Sequence, residues 1–397
     1  MRISGVPWKR AAIAFSALAG VLSQVAVAQA ADCDTLPSPI IVKGSSAVKP
    51  FATAIGSALA GTTTVVYVSG GSCTGVDAAL NDTPVTTDGT YWDGDGNPET
   101  CTMPSGGLPA DIGVSDVFPT SCAGFEDANI DDLGVGDFQG PIQIMTFIVP
   151  VASSRRSISA EAAYLTFGLG ADGDSPWSDE SLMFVRNAGS GTQSMIGKAI
   201  NVRPDAFKGT DSGGSQGVLT GVGNSSDADA TIGILSTGET DTARDSVRIL
   251  AYQHYGQSCG YWPDSSVTSF DKMNVRIGRY PIWGPLHMLT KVNSSGDPRS
   301  EAASDLIGYV SGTKLLSDVN IVDLEIGANL VPQCAMQVTR TSELGALASF
   351  QPTNACGCYF DSLKGDDGAP SSCDSCDTDD DCSGSTPKCS YGYCEAQ

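Results

Sequence analysis

The chain repeats one arrangement four times: a short apolar run, then glycine with small hydroxyl or charged residues, in most cases followed by a helix-forming segment. The apolar runs lie at residues 39–42, 63–68, 111–114 and 182–185. Short apolar runs alternating with helical segments predict an α/β protein whose strands form a buried sheet. In such sheets, ligands bind at the carboxyl ends of strands, where turns of this kind collect. The sequence therefore predicts a ligand site built from four turns.

The fourth turn carries the most specific chemistry. It reads Arg-Asn-Ala-Gly-Ser-Gly-Thr over residues 186–192 and precedes a predicted helix at 193–200. The first N–H groups of a helix lack intrahelical partners and the helix dipole adds positive charge, so helix N-termini bind anions. The forked guanidinium of arginine matches tetrahedral oxyanions. The motif predicts an oxyanion site, but by itself it also fits a capped helix beside a surface arginine.

Residues 1–30 have the pattern of a secretory signal peptide. They contain three cations, a short apolar core and an Ala-Gln-Ala cleavage site at 28–30, so we expect cleavage after Ala30 and a periplasmic or secreted protein. The net charge is −23, and loss of three cations with the signal peptide makes it −26. This acidity disfavours nucleic acid and anionic membranes as partners. Residues 31–397 exceed what one core usually holds, which predicts two lobes.

The 13 cysteines agree with export. Six lie before residue 352 and seven after it, which predicts either one tail-to-body bridge or one free thiol. The Cys373-x-x-Cys376 spacing is also seen at zinc sites, but no histidine follows it and disulfides are favoured. We expect a bridge between Cys101 and Cys122, with Cys33 and Cys73 as further candidates. Residues 353–397 read as a linker and a Cys-rich tail.

No metal, cofactor or catalytic residue is predicted. Residues 93–99 alternate oxygen ligands like a calcium loop, but Pro104 stands where the bidentate glutamate belongs, so a hairpin-tip insertion is favoured. Residues 213–217 read Gly-Gly-Ser-Gln-Gly, which leaves a serine hydrolase using Ser215 and His287 as an alternative. That motif requires a buried strand before it, and residues 208–212 are polar. His287 lies in an apolar run at 283–289 that predicts a core strand.

In their order, the four turns resemble the motifs of the periplasmic phosphate-binding proteins of ABC importers. The matching segments are residues 44–50, 71–75, 113–116 and 186–192, with further landmarks at 177–179, 231–234 and 280–282. The resemblance covers about residues 39–352. It leaves out the signal peptide, the acidic insertion and the Cys-rich tail.

The resemblance implies an α/β two-lobed periplasmic-binding-protein (Venus flytrap) fold of type II, with the disulfide-rich segment added at the C-terminus. Lobe one would comprise residues 31–140 with 283–352, and lobe two residues 141–282. The implied function is capture of phosphate or a similar tetrahedral oxyanion by a monomer, for delivery to an ABC importer permease. A surface adhesion module built on the same fold is the main alternative.

The resemblance also implies a set of ligand-binding residues. They are Ser45, Ser46, Ala47, Ser72, Ser115, Asp116, Arg186, Ser190, Gly191 and Thr192. Asp116 would accept a proton from phosphate and would repel sulfate, which carries none near neutral pH; a helix N-cap is the alternative for this residue. Two positions depart from the family: Ala47 replaces a common threonine, and Ala188 replaces a common aspartate.

Overall fold

Short strands and helices alternate along the chain, as the sequence predicts. A computed structural model describes residues 30–173, 175–365 and 368–396, so the predicted signal peptide, apart from Ala30, lies outside the described residues. The strands are β1 (Ala31–Asp32), β2 (Pro39–Gly44), β3 (Thr64–Ser69), β4 (Gly89–Trp92), β5 (Pro98–Thr102), β6 (Ile112–Ser115), β7 (Val135–Pro150), β8 (Ser157–Ser159), β9 (Met183–Val185), β10 (Thr210–Asp211), β11 (Ile232–Ser236), β12 (Val247–Ile249), β13 (Ala251–Gln253), β14 (Trp283–Lys291), β15 (Val338–Thr339), β16 (Ala348–Ser349), β17 (Lys388–Ser390) and β18 (Tyr393–Glu395). The α-helices are α1 (Lys49–Ala58), α2 (Ser72–Leu80), α3 (Ala160–Tyr164), α4 (Gly191–Ile200), α5 (Ser215–Gly223), α6 (Thr237–Thr240), α7 (Met273–Arg276), α8 (Glu301–Val310), α9 (Ile321–Gly327) and α10 (Gly357–Lys364).

Twelve strands join into one sheet in which β7 connects two halves. The first half contains β1 to β6 and β14, and the second half contains β9 to β12. The long strand β7 pairs with β14 over residues 135–144 and then with β11 and β12 over residues 145–150. The two halves are therefore continuous through one strand. The residue boundaries of the two lobes stay a prediction.

Each half contains parallel strands whose carboxyl ends carry the predicted turns. In the first half β2 lies parallel to β3 and β6, and in the second half β9 lies parallel to β10 and β11. Strands β2 and β11 are almost continuously buried, because helices cover both faces of a parallel sheet. The largest apolar cluster surrounds β7 and includes Ile144, Phe147 and Trp283. This packing fixes where the strand ends lie.

Disulfides form, but the predicted Cys101–Cys122 bridge is wrong. The pairs are Cys33–Cys101, Cys73–Cys122, Cys334–Cys356, Cys358–Cys373, Cys376–Cys389 and Cys382–Cys394. Cys101 is drawn away from Cys122 because its strand β5 pairs with β1, which immediately precedes Cys33. The chain has both a tail-to-body bridge, Cys334–Cys356, and an exposed free thiol, Cys259.

The tail packs against the body through a helix that the sequence did not predict. Phe360 of α10 is 1% exposed and belongs to the cluster around β7. The Arg276 guanidinium pairs with Asp361 and donates to the Gly357 carbonyl at 3.2 Å. The acidic insertion lies at the tip of the β4–β5 hairpin, as expected. Among the described helices none is long and apolar enough to span a membrane.

Candidate oxyanion site

The turns at the carboxyl ends of the parallel strands of both halves meet at one place. From the first half, β2 leads to Ser45 and Ser46, β3 leads to Ser72, and β6 leads to Asp116. From the second half, β9 leads directly to Arg186 and then to the N-terminus of α4. Hydrogen bonds and close contacts join these turns across the two halves. The predicted convergence of the four turns is therefore present in the fold.

Asp116 lies at the centre of the first-half turns and is 1% exposed. Its Oδ2 accepts hydrogen bonds from Ser45 Oγ and from Ser72 Oγ, the latter at 3.1 Å. Burial raises the pKa of Asp116, and these hydrogen bonds together with the charge of Arg186 oppose the rise. No helix begins at Asp116, since the next short helix has Phe118 at its N-cap. The capping alternative for Asp116 is therefore wrong.

Arg186 reaches from the second half to the first and is 4% exposed. One terminal nitrogen donates to Ser46 Oγ at 2.6 Å and the other to Ser215 Oγ at 3.1 Å. The Gln193 side chain accepts from its backbone N–H at 2.9 Å, which fixes the strand end. Burial lowers the pKa of Arg186, and the nearby carboxylates Asp116, Asp211 and Glu239 oppose this. Arginine keeps its charge in proteins, so the site holds a buried cation.

The N-terminus of α4 lies directly against Ser72 and Asp116. A Cβ placed on Gly191 would lie 2.2 Å from Ser72 Oγ and 2.9 Å from Asp116 Oδ2, so only glycine fits in this arrangement. The Cys73 N–H donates to the Gly189 carbonyl at 3.1 Å, which ties α2 to the same turn. Glycine here allows the first N–H groups of α4 to approach the carboxylate region closely.

Two polar atoms at the centre of the site have no hydrogen-bond partner in the described protein. They are Asp116 Oδ1 and Arg186 Nε, and both are buried. An unpaired buried polar group costs about 1–3 kcal/mol. A ligand that offers a proton to Asp116 and an anionic oxygen to Arg186 would remove both costs. That combination describes a protonated oxyanion.

The predicted residues differ in how they use their polar groups. Ser45, Ser46, Ser72, Asp116, Arg186 and Gly191 take part in the contacts described above. The Ala47 N–H donates to Ser45 Oγ at 3.1 Å, so it contacts the site through that serine. The Ser115 hydroxyl bonds within its own turn to the Val117 carbonyl at 2.6 Å. Ser190 caps α4 by accepting from the Gln193 N–H, and Thr192 is buried in the first turn of that helix.

Three residues near Arg186 were not predicted as members of the oxyanion site, although Ser215 was considered as a hydrolase nucleophile. Ser215 begins α5 and contacts Arg186 directly, while Asp211 and Glu239 act on it electrostatically. Glu239 follows β11 by the same strand–turn–helix pattern that identified the other turns, so the apolar run at 232–235 was a usable signal. Asp211 lies on β10 and Ser215 follows this strand. Strand β10 has two residues, both exposed, and gives no apolar pattern.

The hydrolase alternative gains no support from the geometry. The strand before Ser215 is exposed, whereas a nucleophile elbow needs a buried one. Among the described contacts the Ser215 hydroxyl bonds to Arg186. His254 bonds through Nδ1 to the Tyr252 hydroxyl and His287 bonds to Asp137. The predicted core strand containing His287 is confirmed as β14.

Comparison with solved structures finds the same fold in a protein described as phosphate-binding. A structure from Clostridium perfringens, described as a phosphate ABC transporter substrate-binding protein with bound phosphate, matches with a TM-score of 0.52 and 14% identity, over 74% of this chain and 99% of that one. The fold is that of a two-lobed substrate-binding protein. A Vibrio cholerae ABC-type phosphate transport receptor (TM-score 0.46, 14% identity, 74% and 99% coverage) and a human phosphate binding apolipoprotein (0.47, 14%, 74% and 90%) also match. No protein-family model and no curated protein sequence matches the chain.

Proposed function

We propose that this protein is an exported solute-binding protein that captures phosphate, or a similar protonated tetrahedral oxyanion, between the two halves of its sheet. The observation that carries the proposal is the meeting of buried Asp116 and buried Arg186 from opposite halves, each with one unpaired polar atom. The substrate-binding-protein fold supports the same reading. The proposal involves no bond-making step.

Binding would exchange contacts within the protein for contacts with the ligand. In the structure Arg186 donates hydrogen bonds to Ser46 and Ser215. The hydroxyls of Ser45 and Ser72 donate to Asp116. A bound oxyanion would accept from these donors and from the first N–H groups of α4, while its O–H would donate a hydrogen bond to the Asp116 carboxylate. Sulfate offers no proton at neutral pH, so Asp116 would repel it. We propose that Ser190 and Thr192 contribute hydroxyl and backbone donors to the same ligand.

Delivery to an ABC importer permease extends the proposal. The Clostridium perfringens and Vibrio cholerae proteins are described as parts of phosphate transport systems. We infer a monomer that is secreted or periplasmic after removal of the predicted signal peptide. An adhesion module on the same fold would need no ligand, so direct binding measurements separate the two.

The test is calorimetry of the mature protein with phosphate and with sulfate. We expect phosphate to bind and sulfate to bind far more weakly. Arg186→Ala should remove tight phosphate binding, because a buried charge-assisted contact is lost at a cost of about 2–5 kcal/mol. Asp116→Asn should weaken phosphate and relax the exclusion of sulfate. Arg279→Ala is the matched control, because Arg279 is exposed and should leave affinity unchanged.

If the wild type binds neither anion, the adhesion-module alternative replaces this proposal. Unchanged phosphate affinity in Arg186→Ala would contradict the assignment of the site.

A further inference from the structure

A second buried acid, Glu343, lies directly behind the Asp116 turn. It belongs to the loop between β15 and β16 and is 7% exposed. Its Oε2 accepts from the Phe118 N–H at 3.2 Å, two residues after Asp116. A Cβ on Gly284 would lie 3.4 Å from the Asp116 carbonyl oxygen and 3.6 Å from Glu343 Oε1. One glycine therefore separates the two acidic residues.

The other oxygen of this acid is unsatisfied. Glu343 Oε1 is buried and has no hydrogen-bond partner in the described protein. Gln143 pairs with Gly284 across β7 and β14, so its side chain shares the face on which Glu343 lies, and both its amide atoms are also buried and unpartnered. Neither residue contributes to the oxyanion contacts described above. Glu343 therefore lacks the network of donors that holds the carboxylate of Asp116.

Solvent reaches this region through a cleft. Glu343 lines a cleft of about 750 Å³ between the segment after β6 and the flank of α4. The charged and titratable groups that face Glu343 from the elements around it are Asp116, His287 and Arg340, with Asp137 behind His287, and Glu126, Lys198, Arg203 and Asp205 along the cleft. Burial and the negative charge of Asp116 raise the pKa of Glu343 to about 7, against the opposing effects of His287, the Phe118 N–H and Arg340.

We propose that Glu343 sets the charge behind the oxyanion site, so that its ionisation weakens oxyanion binding and its protonation strengthens it. The inference rests on the proposed function and adds a regulating residue to the same site. An ionised Glu343 places a second negative charge behind the Asp116 turn. At low effective dielectric such a charge repels the ligand. Glu343 acts through Asp116 and Phe118 and is a positioning and charge-setting residue.

The test compares phosphate affinity of the wild type and of Glu343→Gln by calorimetry from about pH 5 to about pH 9. Gln keeps an acceptor for the Phe118 N–H but does not titrate. The ratio of the two dissociation constants removes the titration of phosphate itself. We expect the two dissociation constants to be nearly equal below about pH 6. Above about pH 8 the wild-type constant should be roughly tenfold larger, which corresponds to a one-unit shift in the pKa of Glu343 when the ligand binds.

Glu126→Gln is the matched control, because Glu126 is exposed and lines the same cleft. Its ratio to the wild type should stay constant with pH. Glu343→Met serves as a second variant that removes the charge at similar length, with circular dichroism as the check on folding. A ratio that stays constant with pH in a folded Glu343 variant would overturn the inference while leaving phosphate binding intact. Absence of phosphate binding by the wild type at every pH would instead overturn the proposed function.

Discussion

Single residues in this protein show how differently two buried acids can be held. Asp116 receives hydrogen bonds from Ser45 and Ser72 and lies near the charge of Arg186. Each acid leaves one buried oxygen without a partner, but Glu343 receives only one hydrogen bond, from the Phe118 backbone. The ionised form of Glu343 is therefore poorly stabilised by its surroundings, and that difference has a consequence for stability.

Glu343→Gln should stabilise the protein at alkaline pH and have little effect at acidic pH. The folded-state pKa of about 7 lies above the ordinary glutamate value. The folded state thus binds more protons than the unfolded state between about pH 4 and about pH 7, and stability falls as pH rises through this window. Above this window the free energy of unfolding of the wild type is lower by up to about 3 kcal/mol, a loss that the variant avoids.

Urea unfolding of both proteins at about pH 5 and about pH 8 measures this difference. Glu126→Gln should show no pH-dependent difference from the wild type. An equal effect of Glu343→Gln at both pH values would mean that the carboxyl does not titrate in this window.

At the scale of elements, the contact between α2 and α4 joins the two halves of the sheet. Each helix follows a parallel strand of its own half, and the first residues of both helices meet at the site. The Cys73–Cys122 bridge holds the first turn of α2 to the segment after Asp116. This contact depends on the absence of a side chain at Gly191.

Gly191→Ala should lower phosphate affinity by about tenfold or more without unfolding the protein. The added methyl group would collide with Ser72 and Asp116, forcing the halves apart at the site. Alanine favours a helix by about 1 kcal/mol over glycine, so the local helix should not suffer. Calorimetry with phosphate measures the effect, and Gly94→Ala is the control because nothing lies within 4 Å of a Cβ there. Wild-type affinity in Gly191→Ala would show that this contact opens when the ligand binds.

For the whole molecule, the Cys-rich tail is part of the packed body. Arg276 pairs with Asp361 of α10 and donates to the Ala335 carbonyl at 3.0 Å, and Cys334–Cys356 anchors the start of the tail. Lys364 at the end of α10 donates to Asn329 at 2.7 Å. The tail therefore contacts residues contributed by separate parts of the chain.

Asp361→Ala should destabilise the protein by about 3–5 kcal/mol, because it leaves the buried Arg276 without its ion-pair partner. Thermal and urea unfolding measure the change. Asp305→Ala is the control: its ion pair with Lys314 is 40–46% exposed, and its loss should cost less than about 1 kcal/mol. A small effect of Asp361→Ala, equal to that of the control, would show that the tail helix adds little to the stability of the body.

The sequence by itself determined the strands and the turns, and with the family resemblance it predicted most of the candidate site. The strands β2, β3, β6 and β9 and the helix α4 were predicted within one or two residues, since apolar runs and Gly-Ser turns are local signals. The resemblance to phosphate-binding proteins implied Ser46, Ser72, Asp116 and Arg186 together, and each of them follows such a strand. The resemblance to phosphate-binding proteins implied that these turns belong to one two-lobed fold, and that fold is confirmed.

Only the tertiary structure decided which distant residues meet. Cys101 is close to Cys122 in sequence, yet the pairing of β5 with β1 brings it to Cys33. Ser215 reaches Arg186 from the first turn of α5, which follows a strand without an apolar pattern. Glu343 reaches the Asp116 turn from a loop 227 residues further along the chain. Local sequence patterns indicate which face of a strand or helix is buried, but they do not indicate which other segment covers that face. That choice is made by packing across the whole sheet.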